Sequence, residues 1–345
     1  MSELIGVGIV GMGNSGWFYH AEGSLERSED FRLVAVNART PERTEAAARR
    51  FDARGHQTWE ALVTDPEVEV VVVATPHDLH APVTIGALEA GKHVVVEKPM
   101  ATTKAETDAM LAAAERSGTV LTVFQNRRWE PTFRLIRELV AAGEIGDVWR
   151  VEERRMHAGK YVVSGERAHA GSELAQWAHT TAGGGGVGYL IAPHLIDHQV
   201  VLHGSAPESI SAITHTYPGD EVEHYLDLRL RFPGERDARI EIFRENAVDM
   251  PKWAVLGTQG TIICPDFQTL RLDRADGTSR LETGLKPLQA CDEFYDALAT
   301  ALRDGGPPPV DPAEAAIAAA VLEAANRSAT NGGAPVALPT HGMTG

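Results

Sequence analysis

The sequence predicts an α/β protein of two domains: a doubly wound parallel sheet over 1–124, then an α/β domain with a large open, mainly antiparallel sheet over 125–345. The length of 345 residues favours two domains, because one hydrophobic core usually serves a shorter chain. Up to Phe124, short β-branched runs alternate with helical segments, which is typical of a parallel sheet. Between 207 and 285, strand-like runs are separated by turn signals such as PGD, which favours an antiparallel sheet.

The elements of the first domain are predicted from apolar runs and helix-start signals. The run at 68–76 is almost continuously apolar, as expected of a strand buried on both faces. Thr40 before Pro41 marks one helix start, and Thr103 with Glu106 forms a capping box at another. The predicted strands are LIGVGIVG near the N-terminus, 31–38, 68–76, 93–99 and 119–124. The predicted helices run from Asn14 to about Arg27 and from 41 to about 51; a third follows the strand at 68–76 and ends at Ala90, and a fourth begins after Thr103.

The second domain is predicted to open with a helix over about 130–142 and a strand within GEIGDVWRVEERRM. A glycine run at 183–186 leads towards a helix predicted to begin near Pro193. Near the C-terminus, Asp311 and Pro312 are suited to be the N-cap and first residue of an alanine-rich helix, since alanine has the highest helix propensity.

Composition narrows the class of protein. No apolar run reaches the roughly 18 residues that a membrane span needs, and the N-terminus lacks the basic start of a signal peptide. The two cysteines, Cys264 and Cys291, are typical of a reducing compartment. A net charge of −16 argues against nonspecific binding to nucleic acid or to an anionic membrane surface. We therefore expect a cytoplasmic protein that acts on a small molecule.

A glycine motif follows the first predicted strand. Gly11, Gly13 and Gly16 form G-x-G-x-x-G between that strand and the next predicted helix, which is the context that a dinucleotide-binding Rossmann domain requires. The first glycine permits a tight turn, the second lets the backbone approach a pyrophosphate, and the third allows close packing of helix and strand. The alternative is a glycine turn without a ligand.

The residues at the end of the second strand indicate whether the domain binds NAD or NADP. NAD-binding domains usually carry Asp or Glu there, to hold the ribose 2′-hydroxyl. This chain reads VNARTPER over 36–43, with Arg39 and Arg43 in place of a carboxylate. Because a guanidinium forms a charged fork that fits a 2′-phosphate, the motif favours NADP, with NAD as a possible cofactor. The alternative is that both arginines are ordinary surface charges.

Further segments along the chain carry a family resemblance. They are ATPHDLH at 74–80, AGKHV at 90–94, EKP at 97–99, QNRRW at 125–129, the glycine run with PHLID at 193–197, and KWAVLGTQG at 252–260. In this order they resemble the glucose–fructose oxidoreductase and inositol dehydrogenase superfamily, often called Gfo/Idh/MocA, over nearly the whole chain. The NRRW run and the arginines after strand two look closest to NADP-linked sugar and inositol dehydrogenases.

The resemblance implies nicotinamide-dependent oxidoreduction, usually of sugars or polyols, by homodimers or homotetramers paired through the C-terminal sheet. It also implies that the bond before Pro99 is often cis, a form that X-Pro bonds tolerate. With the motif logic above, the expected cofactor-binding residues are Gly11, Gly13, Asn14, Ser15, Gly16, Ala38, Arg39, Thr40, Arg43, Thr75, Pro76, His77, His80, Glu97 and Lys98. The expected substrate-binding residues are Lys98, Arg127, Leu190, His194 and Asp197.

Three of these residues are the catalytic candidates. Lys98 lies at the C-terminal end of a predicted parallel strand, and by resemblance it contacts the reacting hydroxyl, where a cation stabilises alkoxide charge. By resemblance His194 is the proton acceptor, a role suited to imidazole, and Asp197 orients it or binds substrate. The alternatives are a solvated lysine, a core histidine, and a metal site formed by His194, Asp197 and His198. By resemblance, His77 and His80 lie near the cofactor and not on a metal.

One position departs from the family pattern. The family usually carries Asp four residues before the histidine, and here that position is Leu190. Three explanations are open. The substrate is less hydroxylated or bears an apolar group, which is the favoured explanation. Otherwise another acid such as Glu153 or Asp197 takes the place of the missing Asp, or the dehydrogenase activity is lost. Two other functions follow as alternatives: a non-catalytic regulator that binds NADP and a metabolite, and a redox-neutral lyase or glycosidase that oxidises its substrate transiently.

Overall fold

The computed structural model describes residues 3–158, 177–246, 248–286 and 291–338. The chain divides into two compact units. Unit 1 comprises Met1–Asn126 and Gln289–Ala319, and unit 2 comprises Arg127–Leu288 and Ala320–Gly345. The division at 124/125 inferred from sequence stays a prediction, and it differs from these units in the placement of 289–319.

The strands and helices are as follows. The strands are β1 (Ile5–Val10), β2 (Phe31–Asn37), β3 (Arg54–Gly55), β4 (Val70–Val73), β5 (His93–Val96), β6 (Leu121–Val123), β7 (Val148–Ala158), β8 (Ser209–His215), β9 (Tyr225–Phe232), β10 (Arg236–Asn246), β11 (Trp253–Gly257), β12 (Gly260–Cys264), β13 (Leu270–Arg274), β14 (Ser279–Glu282) and β15 (Val336–Ala337). The helices are α1 (Pro41–Phe51), α2 (Trp59–Val63), α3 (His80–Glu89), α4 (Lys104–Ser117), α5 (Pro131–Ala141), α6 (Gly186–His203), α7 (Asp292–Asp304) and α8 (Pro312–Thr330).

Unit 1 contains a parallel sheet of 6 strands in the order β3-β2-β1-β4-β5-β6, which confirms the predicted doubly wound architecture. All residues of β4 are fully buried, as its continuous apolar run predicted. The capping box of Thr103 and Glu106 is present at the start of α4, and the Lys98–Pro99 bond is cis. The carboxyl ends of β1, β4 and β5 lie side by side, which positions the loops that follow them at one edge of the sheet.

The predicted helix from Asn14 to about Arg27 is wrong in form. A π-helical turn covers Ser15–Ala21, and a separate 3-10 turn covers Leu25–Arg27. Gly23 lies between them, and a Cβ there would approach the Tyr19 carbonyl oxygen to 2.4 Å. Glycine also has low helix propensity, so a continuous α-helix is disfavoured at this position.

Helix α7 belongs to unit 1 because its aromatic side chains complete the core of that unit. Phe294 packs edge-on against Phe124 with ring centroids 4.9 Å apart. Tyr295 packs in the same way against Phe31 of β2, at 5.5 Å. The Thr122 hydroxyl donates a hydrogen bond to the Val310 carbonyl oxygen at 2.9 Å, which adds a polar link. These contacts explain why a late segment returns to the first unit.

Unit 2 contains a sheet of 9 strands in the order β14-β13-β12-β11-β7-β10-β9-β8-β15. All its pairings are antiparallel except that of β7 with β10, which confirms the mainly antiparallel prediction and adds one parallel pair. Along β10, Ala238, Ile240 and Ile242 are fully buried, while Arg239 and Glu241 point to the other face. Helix α6 packs against β7, β9 and β10.

Helix α6 begins earlier than the sequence predicts. It starts at Gly186, contains Pro193 in its interior, and ends at His203, which Gly204 follows in the left-handed conformation. Proline removes one backbone hydrogen bond from a helix, but here almost the whole helix is buried, and its packing outweighs that loss. Leu190 and His194 therefore lie one turn apart on the same helix. In the described ranges, no helix meets the length and apolarity needed to cross a bilayer.

Candidate active site

The glycine motif forms a turn that only glycine permits at two positions. Gly11 has φ 103°, and a Cβ there would lie 2.3 Å from the Ala74 carbonyl oxygen. A Cβ on Gly16 would lie 2.1 Å from the Gly11 carbonyl oxygen. The Gly11 N–H donates to the Asn37 carbonyl oxygen at 2.9 Å, which ties the turn to the end of β2. The turn is thus held between the carboxyl ends of β2 and β4.

The residues around this turn fit a dinucleotide. The backbone is kept open by glycine at the edge of a parallel sheet where such ligands bind. Next to it, the buried Thr75 hydroxyl has no hydrogen-bond partner within the described ranges, so it is available to a ligand. The turn over 11–16 and the loop at Thr75 and Pro76 are the parts that would hold the pyrophosphate and the nicotinamide end.

The two arginines after β2 have different surroundings. The Arg43 Nε atom donates to the Met12 carbonyl oxygen at 2.7 Å, and its guanidinium lies 5.0 Å from the centre of the Trp17 ring. Arg39 is exposed and forms no ion pair with any residue in the described ranges. Thr40 caps α1 by accepting the Arg43 N–H, and Ala38 donates its N–H to the Thr44 hydroxyl. Arg43 therefore supports the glycine turn, while Arg39 has no carboxylate partner within the described ranges.

Two histidines follow β4, and one of them links two loops. His80 is fully buried, with Nδ1 2.7 Å from the Pro99 carbonyl oxygen and Nε2 3.0 Å from the Thr75 carbonyl oxygen. Burial lowers the pKa of His80. The His77 ring lies 5.4 Å from the His80 ring, edge to face. His80 thus ties the loop after β4 to the Lys98–Pro99 segment.

Glu97 and Lys98 directly follow β5. One carboxylate oxygen of Glu97 accepts the Lys98 N–H at 3.1 Å. Burial by itself would raise the pKa of Glu97, but His20, Lys98 and His80 outweigh burial and lower it. The Glu97 carboxylate is therefore ionised at neutral pH and fixes the backbone of Lys98.

In unit 2, Asp197 is committed to an arginine. Arg128 donates to both oxygens of Asp197, from Nε at 2.8 Å and from Nη2 at 2.7 Å. Both side chains are largely buried, at 12% and 2% relative exposure. A bidentate pair of this kind fixes the segment before α5 to the middle of α6. The geometry favours a positioning role for Asp197.

Glu153 and His198 form a second buried cluster in unit 2. The fully buried Glu153 carboxylate contacts His198 Nδ1 at 3.1 Å, Gln199 Nε2 at 3.1 Å and Arg155 Nη2 at 3.0 Å. His198 stacks on Phe133 with ring centroids 3.9 Å apart. With Glu153 held by these partners and Asp197 by Arg128, neither acid is well placed to substitute for a carboxylate at position 190.

The remaining substrate candidates of unit 2 lie on or beside α6. His194 is buried at 8% relative exposure, and Leu190, one turn before it, is half-buried. The Arg127 guanidinium is half-exposed, with Nη1 3.7 Å from a Glu130 oxygen, and its backbone carbonyl lies 3.3 Å from His198 Nε2. No group of three potential ligands is placed to hold a metal ion in the part of the chain that the structure describes.

Two structural partners in unit 2 could not be assigned from the sequence. Arg128 is the partner of Asp197, as described. Glu223 accepts the Gly188 N–H at 2.7 Å at the start of α6, and burial raises the pKa of its carboxyl. A Cβ at Gly186 would lie 2.4 Å from that carboxylate, so glycine makes room for it. Glu223 lies among several acidic residues in the sequence, and no local signal marks it.

Comparison with known proteins places these features in a family. The model of an oxidoreductase family with an NAD-binding Rossmann fold, GFO_IDH_MocA, matches residues 5–125. The GFO/IDH/MocA C-terminal domain model matches residues 133–263. The uncharacterized oxidoreductase YdgJ of Escherichia coli (strain K12) is 28% identical over 338 residues, covering 91% of this chain and 93% of that protein.

Two further comparisons concern a curated enzyme and a solved structure. The scyllo-inositol 2-dehydrogenase (NADP(+)) IolW of Bacillus subtilis (strain 168) is 33% identical over 211 residues, which is 61% of this chain and 54% of that protein. The crystal structure of an NAD-binding protein from Listeria innocua superposes with a TM-score of 0.84 at 28% identity, covering 98% of each chain. The likeness in fold thus extends over almost the whole length of both chains.

The Asp197–Arg128 pair generates a stability prediction. Asp197→Asn removes the charge of the carboxylate that binds the largely buried Arg128 guanidinium at two nitrogens, so we expect the free energy of unfolding in urea to fall by about 3–5 kcal/mol. The control is Asp108→Asn, which breaks an exposed pair with Lys104 and should cost less than about 1 kcal/mol. An Asp197→Asn protein as stable as the wild type would contradict the positioning role.

Proposed function

Because the chain belongs to the Gfo/Idh/MocA oxidoreductase family and carries its NAD(P)-binding Rossmann domain, we propose that it is an NADP-dependent dehydrogenase or reductase. Its substrate is a sugar, a polyol or a related cyclic alcohol, and the reacting centre is a carbinol or ketone carbon. The bound nicotinamide supplies or accepts the hydride in this chemistry. In keeping with the family, the protein is proposed to act in the cytoplasm as a homodimer or homotetramer paired through the C-terminal sheet.

The observation that carries the proposal is the position of Lys98. It follows β5 at the ligand-binding edge of the parallel sheet, where β4 separates it from β1 and from the glycine turn that fits a dinucleotide. Its backbone is held on one side by Glu97, and the carbonyl of the next residue, Pro99, is contacted by His80. A lysine fixed in this way is suited to meet a substrate oxygen held against the cofactor.

Lys98 and His194 are proposed to share the chemistry of the hydroxyl group. The Lys98 ammonium stabilises negative charge on the substrate oxygen as the carbinol loses its proton. The His194 imidazole accepts that proton in oxidation and returns it in reduction. His194 is buried on α6, which limits competition from water. Asp197, paired with Arg128, is proposed to fix the helix that carries His194.

The choice of NADP rests on Arg39. Its guanidinium is exposed directly after β2, where a dinucleotide places its adenosine ribose, and no carboxylate stands at the strand end. A guanidinium in this position can form charge-assisted hydrogen bonds to a 2′-phosphate. The name of the B. subtilis relative specifies NADP(+) and scyllo-inositol, which supports both the cofactor and the polyol class.

Leu190 favours a substrate that presents an apolar surface to α6. A leucine cannot accept a hydrogen bond from a substrate hydroxyl, and it disfavours water at its surface. The two nearby acids that could compensate are held by their own partners, Asp197 by Arg128 and Glu153 by Arg155 and His198. We therefore propose a substrate with fewer hydroxyls than inositol next to the reacting carbon, such as a deoxy sugar, an anhydro sugar or a cyclic diol.

The function is tested by incubating the full chain with NADP⁺ and a panel of inositols, aldoses, deoxy and anhydro sugars and cyclic diols. We expect NADPH absorbance to rise with at least one compound, most strongly with one that lacks a hydroxyl beside the reacting carbon. Conversion of a compound without net NADPH indicates a redox-neutral lyase or glycosidase. Tight NADP⁺ binding without turnover of any compound indicates a regulator. Either result would contradict the proposal.

The proposed roles of Lys98 and His194 predict large losses of turnover. We expect Lys98→Ala to lower kcat by about 10²–10³-fold and His194→Ala by about 10²–10⁴-fold, with the NADP⁺ dissociation constant changing much less. The matched controls are Lys104→Ala, at a half-exposed lysine of unit 1 that pairs with Asp108, and His215→Ala, at an exposed histidine of unit 2. Wild-type turnover in either site variant would remove that residue from the mechanism.

The proposed role of Arg39 predicts a change in cofactor preference. Arg39→Ser should raise the KM for NADP⁺ by about 10–100-fold, the effect of losing hydrogen bonds to a charged group, and leave the KM for NAD⁺ nearly unchanged. Arg49→Ser, at an exposed residue of α1 that pairs with Glu45, is the control. A wild-type enzyme that prefers NAD⁺ would contradict the NADP assignment.

A further inference from the structure

We propose that Tyr295, His20 and Glu97 form a buried chain of polar contacts that positions Lys98. Tyr295 and His20 act as positioning residues, since neither is assigned to the cofactor or the substrate. The effect on turnover rests on the proposed function of Lys98, whereas the chain itself is a property of unit 1 alone.

The chain is continuous from α7 to the strand end that carries Lys98. The Tyr295 hydroxyl lies 2.7 Å from His20 Nδ1, which is a hydrogen bond. His20 Nε2 lies 3.3 Å from a Glu97 carboxylate oxygen, a close polar contact whose angle lies outside that of a hydrogen bond. The other oxygen of Glu97 accepts the Lys98 N–H at 3.1 Å. His20, Tyr295 and Glu97 are all buried, at 0%, 2% and 7% relative exposure.

The chemistry of the partners selects one arrangement of protons. Each of the two neutral tautomers of an imidazole donates from one nitrogen and accepts at the other, and the comparison here is between those two tautomers. Glu97 is an acceptor, so its carboxylate favours the tautomer with the proton on His20 Nε2. His20 Nδ1 is then the acceptor for the Tyr295 hydroxyl. The reverse tautomer would place a lone pair of His20 against the Glu97 carboxylate, and would leave the Tyr295 proton without this acceptor.

The surroundings hold this arrangement in place. Burial raises the pKa of Tyr295 well above its usual value, so its hydroxyl keeps the proton that it donates. The His20 ring packs against Phe124 with centroids 4.2 Å apart, and Tyr295 packs against Phe31 and Phe294. Water therefore has little access to the hydrogen bonds, which are stronger in a medium of low dielectric constant.

The consequence concerns the Lys98 backbone. One Glu97 oxygen is held by His20 and the other holds the Lys98 N–H, so the carboxylate cannot rotate without breaking one of these contacts. His80 contacts the Pro99 carbonyl on the other side of the lysine. Loss of the Tyr295 hydroxyl would free His20 to change tautomer, and would loosen the Glu97 carboxylate on which Lys98 depends.

The tautomer of His20 can be read directly by NMR in the full chain. With ¹⁵N-labelled histidine at pH 7.5, the signals lost in His20→Gln identify the His20 ring. We expect Nε2 to be protonated and Nδ1 to be an unprotonated acceptor in the wild type. Tyr295→Phe should perturb that signature, whereas Tyr225→Phe, which removes a hydroxyl from the sheet of unit 2, should not. A wild-type ring protonated at Nδ1 would overturn the chain.

Kinetics test whether the chain positions Lys98. With the compound that gives the fastest NADPH formation, Tyr295→Phe should lower kcat by about 3–10-fold, as expected for loss of one neutral hydrogen bond, with KM within about twofold. His20→Gln, which can still donate to Glu97, should keep more turnover than His20→Leu. Equal losses in the two His20 variants would reject a role for the donor.

The proposed function and the chain fail in different ways. If no compound yields NADPH but His20 shows the expected tautomer, the proposed function is contradicted and the buried chain is supported. If NADPH forms and His20 has the reverse tautomer, the buried chain is contradicted and the proposed function is supported. The dissociation constant for NADP⁺, followed by quenching of tryptophan fluorescence, should be unchanged in Tyr295→Phe, which separates a loss of positioning from a loss of cofactor binding.

Discussion

Three buried carboxylates, those of Glu97, Asp197 and Glu153, need partners that replace water, and this requirement organises the segments around the candidate site. An ionised carboxylate away from water loses several kcal/mol of solvation unless cations and hydrogen bonds replace it. Glu97 meets this requirement with His20 and the Lys98 N–H, and Asp197 meets it with Arg128. Glu153 meets it with His198, Gln199 and Arg155. Each set of contacts fixes a segment that carries a candidate functional residue.

This requirement separates residues that hold the structure from residues that are suited to chemistry. Asp197 is at a position where an acid could orient a histidine, but a bidentate arginine uses both of its oxygens. Likewise, Arg43 is close to the end of β2 but is engaged with the glycine turn through the Met12 carbonyl. Lys98, His194 and Arg39 are then the strongest candidates for direct contact with substrate or cofactor.

The sequence predicts the elements whose signals are local. The apolar run of β4, the capping box of α4 and the glycine turn each depend on residues within a few positions, and the structure has all three. The start of α6 was predicted too late, because a proline usually begins a helix and this one lies inside it. Burial of the helix against the sheet outweighed that local preference.

The partners of the buried groups could not be predicted, because they are distant in sequence. Arg128 and Asp197 are 69 residues apart, and His20 and Tyr295 are 275 residues apart. Hydrophobic periodicity indicates which side chains are buried, but it gives no information on which buried polar groups meet. The return of α7 to unit 1 was missed for the same reason, since aromatic contacts with β2 determine it.

The functional meaning of Leu190 depends on how the nearby buried carboxylates are paired. A missing acid could be compensated by another acid nearby, and the sequence left Glu153 and Asp197 open for that role. In the structure, freeing Asp197 would break the bidentate pair with the buried Arg128, and freeing Glu153 would leave the buried Arg155 with the more distant Glu130 carboxylate at 3.8 Å. Either loss costs more than one substrate hydrogen bond returns. Compensation from within the protein is therefore unfavourable. The change at position 190 is better matched by a change in the ligand, which is why the proposed substrate lacks a hydroxyl where its inositol counterpart has one.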